Sequence, residues 1–284
     1  MKFNKLHFGP AGFSGSDLNI PTSSKNPTAD AILEISNVSL SALEIEFVRQ
    51  VYLKRSSIDK LTEIKKNSVD KNVALSIHAP YFINLNSDEE HKIINSHRYI
   101  IDSLNVGQEI GANIVVVHLG FFLKTEPKLA IENVTKEIEK IFEKTKSHTI
   151  LGAETVGKKS QIGSLDEVLY FYDHLDKKRF LPVIDFAHLH ARENGLFKDP
   201  KEIKKVFDQL KSYPDILNRM HIHMSGIEYT EKGERKHLIF QDADLPYKQI
   251  LEKLKENNVK GTIICESPEI IKDCLFLKKE WEKI

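Results

Sequence analysis

The 284-residue chain sets 41 lysine and arginine residues against 41 aspartate and glutamate residues, a formal net charge of zero with histidine neutral, so a globally basic nucleic-acid binder is excluded while a local basic groove is not. An apolar content of 40%, with 13 glycines and 10 prolines, excludes a disordered, collagen-like or low-complexity chain. No apolar run approaches the ~20 residues of a membrane helix, the opening MKFNKLHFGPAGF reads as a strand and turn rather than a signal peptide, and two cysteines, Cys265 and Cys274, are too few for a disulfide framework or a cysteine-rich zinc site, which makes a reducing, cytoplasmic compartment the expectation.

In chain order, short runs rich in β-branched and aromatic residues predict strands at 5–9, 42–48, 73–78, 113–118, 149–154, 181–185, 219–223 and 262–266. Several are apolar without alternation, such as Ile114-Val115-Val116-Val117, as suits strands buried on both faces of a parallel sheet. Helical spacing of apolar residues fills the intervals 88–110, 126–146, 165–175, 200–210, 247–256 and 269–283. Ser164 ahead of Leu165-Asp166-Glu167 is a cap signal for one of them. Strands alternating with helices predict βα units, and eight units in this length favour a single (β/α)8 TIM barrel over residues 1–284, with an open doubly wound sheet as runner-up.

Successive predicted strands end in residues able to bind metal: His78, His118, Glu154, Asp185 followed by His188, His221 with His223, and Glu266. In an α/β barrel these ends converge on the face that carries the active site. A single strand-end histidine is more often hydrogen-bonded than ligating, and a single Asp or Glu there can cap the next helix. Their placement in register is what points to a metal, because buried charges at strand ends are costly unless paired or ligated. The mixed histidine and carboxylate set suits an open catalytic site rather than closed structural zinc, and the excess of carboxylates suits bridged ions in a phosphoesterase.

The segments SIHAPYFINL, VVVHLG, GAET followed by IGS, VIDFAH, MHIH and ICES resemble, in order and spacing, the endonuclease IV family of apurinic/apyrimidinic endonucleases, within the xylose-isomerase-like TIM-barrel superfamily. The resemblance runs from about residue 78 to 266, and its most specific pieces are 78–85 and Asp185-x-x-His188. It implies a (β/α)8 barrel with three zinc ions that cleaves DNA on the 5′ side of an abasic site. By motif, His78 and His118 hold the first zinc, and Glu154 bridges it to the second. Asp185, His221 and Glu266 complete the second, and His188 holds the third. Glu154 and Glu266 would also orient the nucleophile, while Tyr81 and His7 match residues that face the DNA. The family's Asp-x-His for the third zinc is absent: the segment reads Lys232-Gly233-Glu234-Arg235-Lys236-His237. His237 is a candidate ligand there, with Glu234 or His223 as its substitute partner, so two or three zinc ions are expected.

The alternative is a single-metal sugar isomerase or epimerase using Glu154, Asp185, His221 and Glu266, with His78 and His118 on sugar hydroxyls. The extra histidines His78, His118, His188 and His237 favour several metals. A non-catalytic DNA-binding barrel has no need for both Glu154 and Glu266. Lys158, Lys159, Arg192, Lys198, Lys232, Arg235 and Lys236 follow strand ends and are candidates for a phosphate groove, the plain alternative being ordinary solvated loops. Double-stranded DNA, no membrane and a monomeric state complete the expectation.

Overall fold

The computed structural model describes residues 3–54 and 57–284. Eight strands pair in parallel: β1 (Leu6–Pro10), β2 (Ala42–Glu46), β3 (Ala74–His78), β4 (Ile114–Val117), β5 (Ile150–Glu154), β6 (Phe180–Asp185), β7 (Met220–Met224) and β10 (Gly261–Cys265). Their order, β1-β10-β7-β6-β5-β4-β3-β2, is that of a TIM barrel. The edges meet where Ser41 N–H donates to the Phe8 carbonyl and Gly12 N–H to the Glu44 carbonyl, both at 2.9 Å. Gly9 permits this seam, since a Cβ there would lie 1.9 Å from the Ala42 carbonyl oxygen. Every predicted strand is present, with ends shifted by one or two residues.

Helices α1 (Pro27–Asn37), α2 (Ile58–Asp70), α3 (Glu90–Ile110), α4 (Pro127–Lys144), α5 (Leu165–His174), α6 (Phe186–Arg192), α7 (Pro200–Leu210), α8 (Pro214–Leu217), α9 (Tyr247–Glu256) and α10 (Ile270–Lys283) fall between or after strands. Among the described residues none is long and apolar enough to cross a membrane. Ser164 does cap α5: its hydroxyl accepts from Glu167 N–H, and the Glu167 carboxylate accepts from Ser164 N–H at 2.9 Å. The sequence reading missed α1, α2, α6 and the short α8, and also the hairpin of β8 (Gly226–Thr230) and β9 (Gly233–Leu238) that follows β7.

The main apolar core lies between the barrel wall and the helices, with Ile45, Ile77, Val115 and Ile222 facing Ile32, Ile64, Leu104 and Leu254 among others. Alternation along each strand therefore turns the other set inward. In β2 and β3 that set is Ala42, Glu44, Glu46 and Ala74, Ser76, His78, paired in register. In β7 and β10 it includes His221 beside Thr262 and His223 beside Ile264. The barrel is thus oily outside its wall and strongly polar within.

Candidate metal centre

Three clusters of ligand candidates gather at the C-terminal mouth: His78, His118 and Glu154; Glu154, Asp185, His223 and Glu266; and His188, Glu234 and His237. A fourth group, Glu44, His221 and His223, lies beneath them. Glu154, at the end of β5, is fully buried and belongs to two of them. Its Oε2 lies 3.2 Å from His78 Nε2 and 2.8 Å from His118 Nε2. Its Oε1 lies 3.2 Å from His223 Nδ1, and Glu266 Oε1 approaches the same nitrogen at 3.2 Å.

Backbone carbonyls decide which ring nitrogen faces the site. His78 Nδ1–H donates to the Ala79 carbonyl at 2.9 Å, His188 Nδ1–H to the Thr155 carbonyl at 3.0 Å, and His237 Nδ1–H to the Glu266 carbonyl at 2.9 Å. A carbonyl only accepts, so in each neutral ring the lone pair sits on Nε2, the form a metal requires. Asp185 divides its two oxygens. Oδ1 caps α6 by accepting from His188 N–H at 2.7 Å, and buried Oδ2 makes no hydrogen bond among the described residues. Capping and metal binding, set against each other in the sequence, are both served by this one side chain. Glu266 Oε2 is likewise buried without a hydrogen-bond partner.

The electrostatics follow from packing acids and imidazoles out of water. Burial alone would lower His78, yet Glu154, Glu46 and Glu44 lift it to about 10. His188 and His223 are raised in the same way by their carboxylates. Burial alone would raise Glu154 and Glu266, but neighbouring histidines hold Glu154 well below the usual range and Glu266 at about 2. Burial pushes Asp185 up to about 7 and Glu46 to about 8. Carboxylates rich in positive partners, with unused oxygens beside deprotonatable imidazoles, form a donor set suited to a divalent ion, and zinc accepts every residue type in it.

Two expected site residues stand elsewhere than the mouth, His221 in the group with Glu44 and His223 and His7 low on β1. His221 is not in the cluster with Asp185 and Glu266; His223 is. The two histidines share the inward face of β7, but His221 sits one layer lower, Nε2 3.0 Å from Glu44 Oε2 and Nδ1 3.0 Å from Thr262 Oγ1. It borders a cavity of about 410 Å³ at the opposite mouth, lined also by Phe3, Lys178 and Arg219. His7 also lies low on its strand, near Phe3 and 3% exposed, with Nδ1 at 3.2 Å from the Ser41 carbonyl, so it does not face the site's mouth. Tyr81 does: it is 47% exposed, its hydroxyl donates to Glu46 Oε2 at 3.3 Å, and its ring centre is 4.8 Å from that of His78.

The third cluster is built by the hairpin. Gly233, at φ +92°, lets the strand start against Gly157, and Glu234 N–H donates to the Gly157 carbonyl at 3.0 Å. Glu234 is thereby carried to His188, 3.5 Å from its Nε2, in the place where the sequence left Glu234 and His223 as alternatives. The mouth is a cavity of about 260 Å³ lined by His78, Tyr81, His118, Lys158, Gln161, His188, Glu234, His237 and Glu266. Of the other candidate basic residues, Arg192 is buried and donates to the Lys158 and Gln161 carbonyls. Lys159 pairs with Glu193, Lys198 with Asp244, and Arg235 and Lys236 both pair with Glu228. Sequence reasoning missed Glu44 and Glu46 altogether. Two glutamates at alternate positions of a strand expected to be buried on both faces were the available signal.

The xylose isomerase-like TIM barrel family model matches residues 36–280. An uncharacterized protein of Methanocaldococcus jannaschii is 34% identical over 284 residues, 98% of each chain. A protein named probable endonuclease 4 from Malacoplasma penetrans is 28% identical over 191 residues, 65% of this chain and 63% of that one. Among solved structures, a D-tagatose 3-epimerase-like protein aligns with a TM-score of 0.72 at 21% identity, covering 98% of this chain and 97% of that one. Endonuclease IV from Thermus thermophilus aligns with a TM-score of 0.68 at 17% identity, covering 98% of both chains. At such identities these two likenesses speak for the fold alone.

Proposed function

The chain belongs to the xylose isomerase-like TIM barrel family, and from that premise we propose that it is a zinc-dependent phosphodiesterase incising duplex DNA on the 5′ side of abasic sites. The observation that carries this reading is the presence of three ligand clusters, two joined through Glu154 and a third on His188, Glu234 and His237. An isomerase or epimerase that works with one metal needs only the second. Sequence similarity to endonuclease 4 proteins supports the same choice.

His78 and His118 would hold one ion, Asp185, His223 and Glu266 a second, Glu154 both, and His188, Glu234 and His237 a third. Zinc bound there supplies Lewis-acid charge for a phosphoryl group and makes water a stronger acid near neutral pH. Glu266 Oε2, without another hydrogen-bond partner, accepts from the attacking water and orients it. Lys158 at the cavity wall meets a phosphate. The exposed Tyr81 ring packs against the displaced nucleotide, whose extrusion costs less because its base is missing. The reading takes the chain as a cytoplasmic monomer.

The second reading, a single-metal sugar epimerase, draws on Glu154 and Glu266 sharing one cluster with Asp185 and His223. One sample separates the two. Elemental analysis per chain is followed by incubation with a labelled abasic duplex and, in parallel, with ketohexoses. Two or three zinc ions with incision 5′ to the lesion support the nuclease. One manganese or magnesium ion, no incision and sugar turnover would replace it with the epimerase.

A further inference from the structure

Two histidines stand two positions apart on α6 and turn to different partners. His188 joins Glu234 and His237, while His190, fully buried, meets a carboxylate from another segment. Phe197 N–H donates to His190 Nδ1 at 3.1 Å. A main-chain N–H only donates, so the ring's own proton is on Nε2, which donates to Asp244 Oδ1 at 3.1 Å. Phe197 also stacks on this ring at 5.8 Å between centres, and Tyr229 meets it edge-on at 5.2 Å. Asp244 lies between β9 and α9. Its other oxygen, Oδ2, accepts from the Tyr229 hydroxyl at 2.7 Å and pairs with Lys198 Nζ at 3.0 Å. Tyr229 belongs to β8, and its hydroxyl passes Gly195, at φ +97°, where a Cβ would lie 2.7 Å away.

One carboxylate thus ties the β8–β9 hairpin to α6. Tyr229 is paired across the hairpin with Glu234, and opposed residues of an antiparallel pair put their side chains on one face. That face lies on α6, with Tyr229 against His190 and Glu234 3.5 Å from His188 Nε2. Glu228, the next residue of β8, pairs with the exposed Arg235 and Lys236 on the other side. The place of Glu234 and His237 relative to His188 therefore depends on how the hairpin is seated. Resting on the three-cluster reading above, we propose that Asp244, with His190 and Tyr229, positions the third cluster: the bracket holds the hairpin on α6, so that Glu234 and His237 stand around His188 before a divalent ion binds. A ligand set assembled only part of the time binds with an affinity reduced by that fraction. Loosening the bracket weakens this site and leaves the two joined through Glu154.

Three variants of the full chain test this beside wild type. Asp244→Ala removes the carboxylate, Tyr229→Phe removes only the hydroxyl that reaches it, and Arg235→Ala breaks an ion pair on the other face of the same hairpin. Each protein is stripped with chelator and titrated with Co²⁺ and with Zn²⁺ alone. Hydrogen exchange of residues 226–238 is followed with and without the metal. Expected in Asp244→Ala and Tyr229→Phe is a ~5–30-fold loss of affinity for one equivalent, with the others unchanged. Exchange in the hairpin should be faster than in wild type when metal-free and recover on loading, and Arg235→Ala should show neither effect. Unchanged affinities in both bracket variants would overturn the role of Asp244 while leaving the metal centre standing. Weakening of every equivalent alike, or the same selective loss in Arg235→Ala, would reduce the bracket to general stabilisation and overturn the proposal. Wild type that takes up only two equivalents would overturn the third site and this inference with it, leaving the clusters on Glu154. Should Asp244→Ala fail to fold, Tyr229→Phe decides by the same readings.

Discussion

Glu154 offers one oxygen to His78 and His118 and the other to His223, so two ligand sets depend on a single carboxylate. Glu154→Gln should therefore lower bound metal by more than one equivalent and reduce incision by at least ~100-fold, read by elemental analysis and a single-turnover cleavage assay. His221→Asn should behave oppositely. It removes a buried donor to Glu44 and should cost about 1–3 kcal/mol in denaturant unfolding, with the metal count intact. Loss of a full equivalent in His221→Asn with Glu44→Gln unaffected would return His221 to the ligand set. The adjacency of His221 and His223 also shows what was legible and what was not. MHIH told that β7 presents imidazoles inward; which of two same-face histidines reaches the carboxylates depends on how far each stands along the strand relative to β5, β6 and β10, a matter of sheet register.

At the scale of elements, the β8–β9 hairpin is the part with no counterpart in the predicted strands. Its tip packs so closely on the loop after β5 that a Cβ on Gly233 would lie 2.2 Å from the Gly157 carbonyl oxygen. Gly233→Ala would combine that clash with an unfavourable positive φ, a strain on the order of 1–3 kcal/mol. The expected result is displacement of Glu234 and selective weakening of one metal equivalent, leaving the two that depend on Glu154. Equal weakening of all equivalents in a metal titration would count against a separate third site. The charges of Lys232-Gly-Glu-Arg-Lys-His suggested a phosphate-facing loop. In the hairpin the alternation of a strand sends Arg235 to Glu228 on the open side and Glu234 to the metal cluster.

Across the whole molecule, the barrel interior concentrates acids and imidazoles whose protonation is coupled to folding. His78, His188 and His223 are raised, so their stabilisation is complete below ~6.5 and is lost as pH climbs, for His78 through about 10. Asp185 and Glu46 are also raised, so they cost stability in the same direction, from the ordinary carboxylate range of ~4 upward until they ionise in the fold at about 7 and about 8. Glu266 is lowered to about 2, so its contribution is present above ~4.5 and fades only as acid nears that value. The chelated protein should thus be most stable in mildly acidic solution, near pH ~4.5, and melt progressively earlier toward pH 9 in scanning fluorimetry. Bound metal takes the place of those protons, so the loaded protein should lose this decline, and loading near neutral pH should release protons measurable in weak buffer.

Apolar runs without alternation determined that the strands would be parallel and covered on both sides, and their number with intervening helices determined the barrel, because burial of contiguous apolar segments is a local property of sequence. Metal-capable residues at strand ends determined which mouth would be chemical, because every strand of such a barrel points the same way. Tertiary structure alone decided that His223 rather than His221 meets Asp185 and Glu266, that Glu234 completes a cluster with His188 and His237, and that Glu44 stands beneath them. Those facts depend on the relative stagger of strands distant in sequence and on a hairpin seated against a neighbouring loop, and contacts between such remote segments leave no periodic trace in the chain.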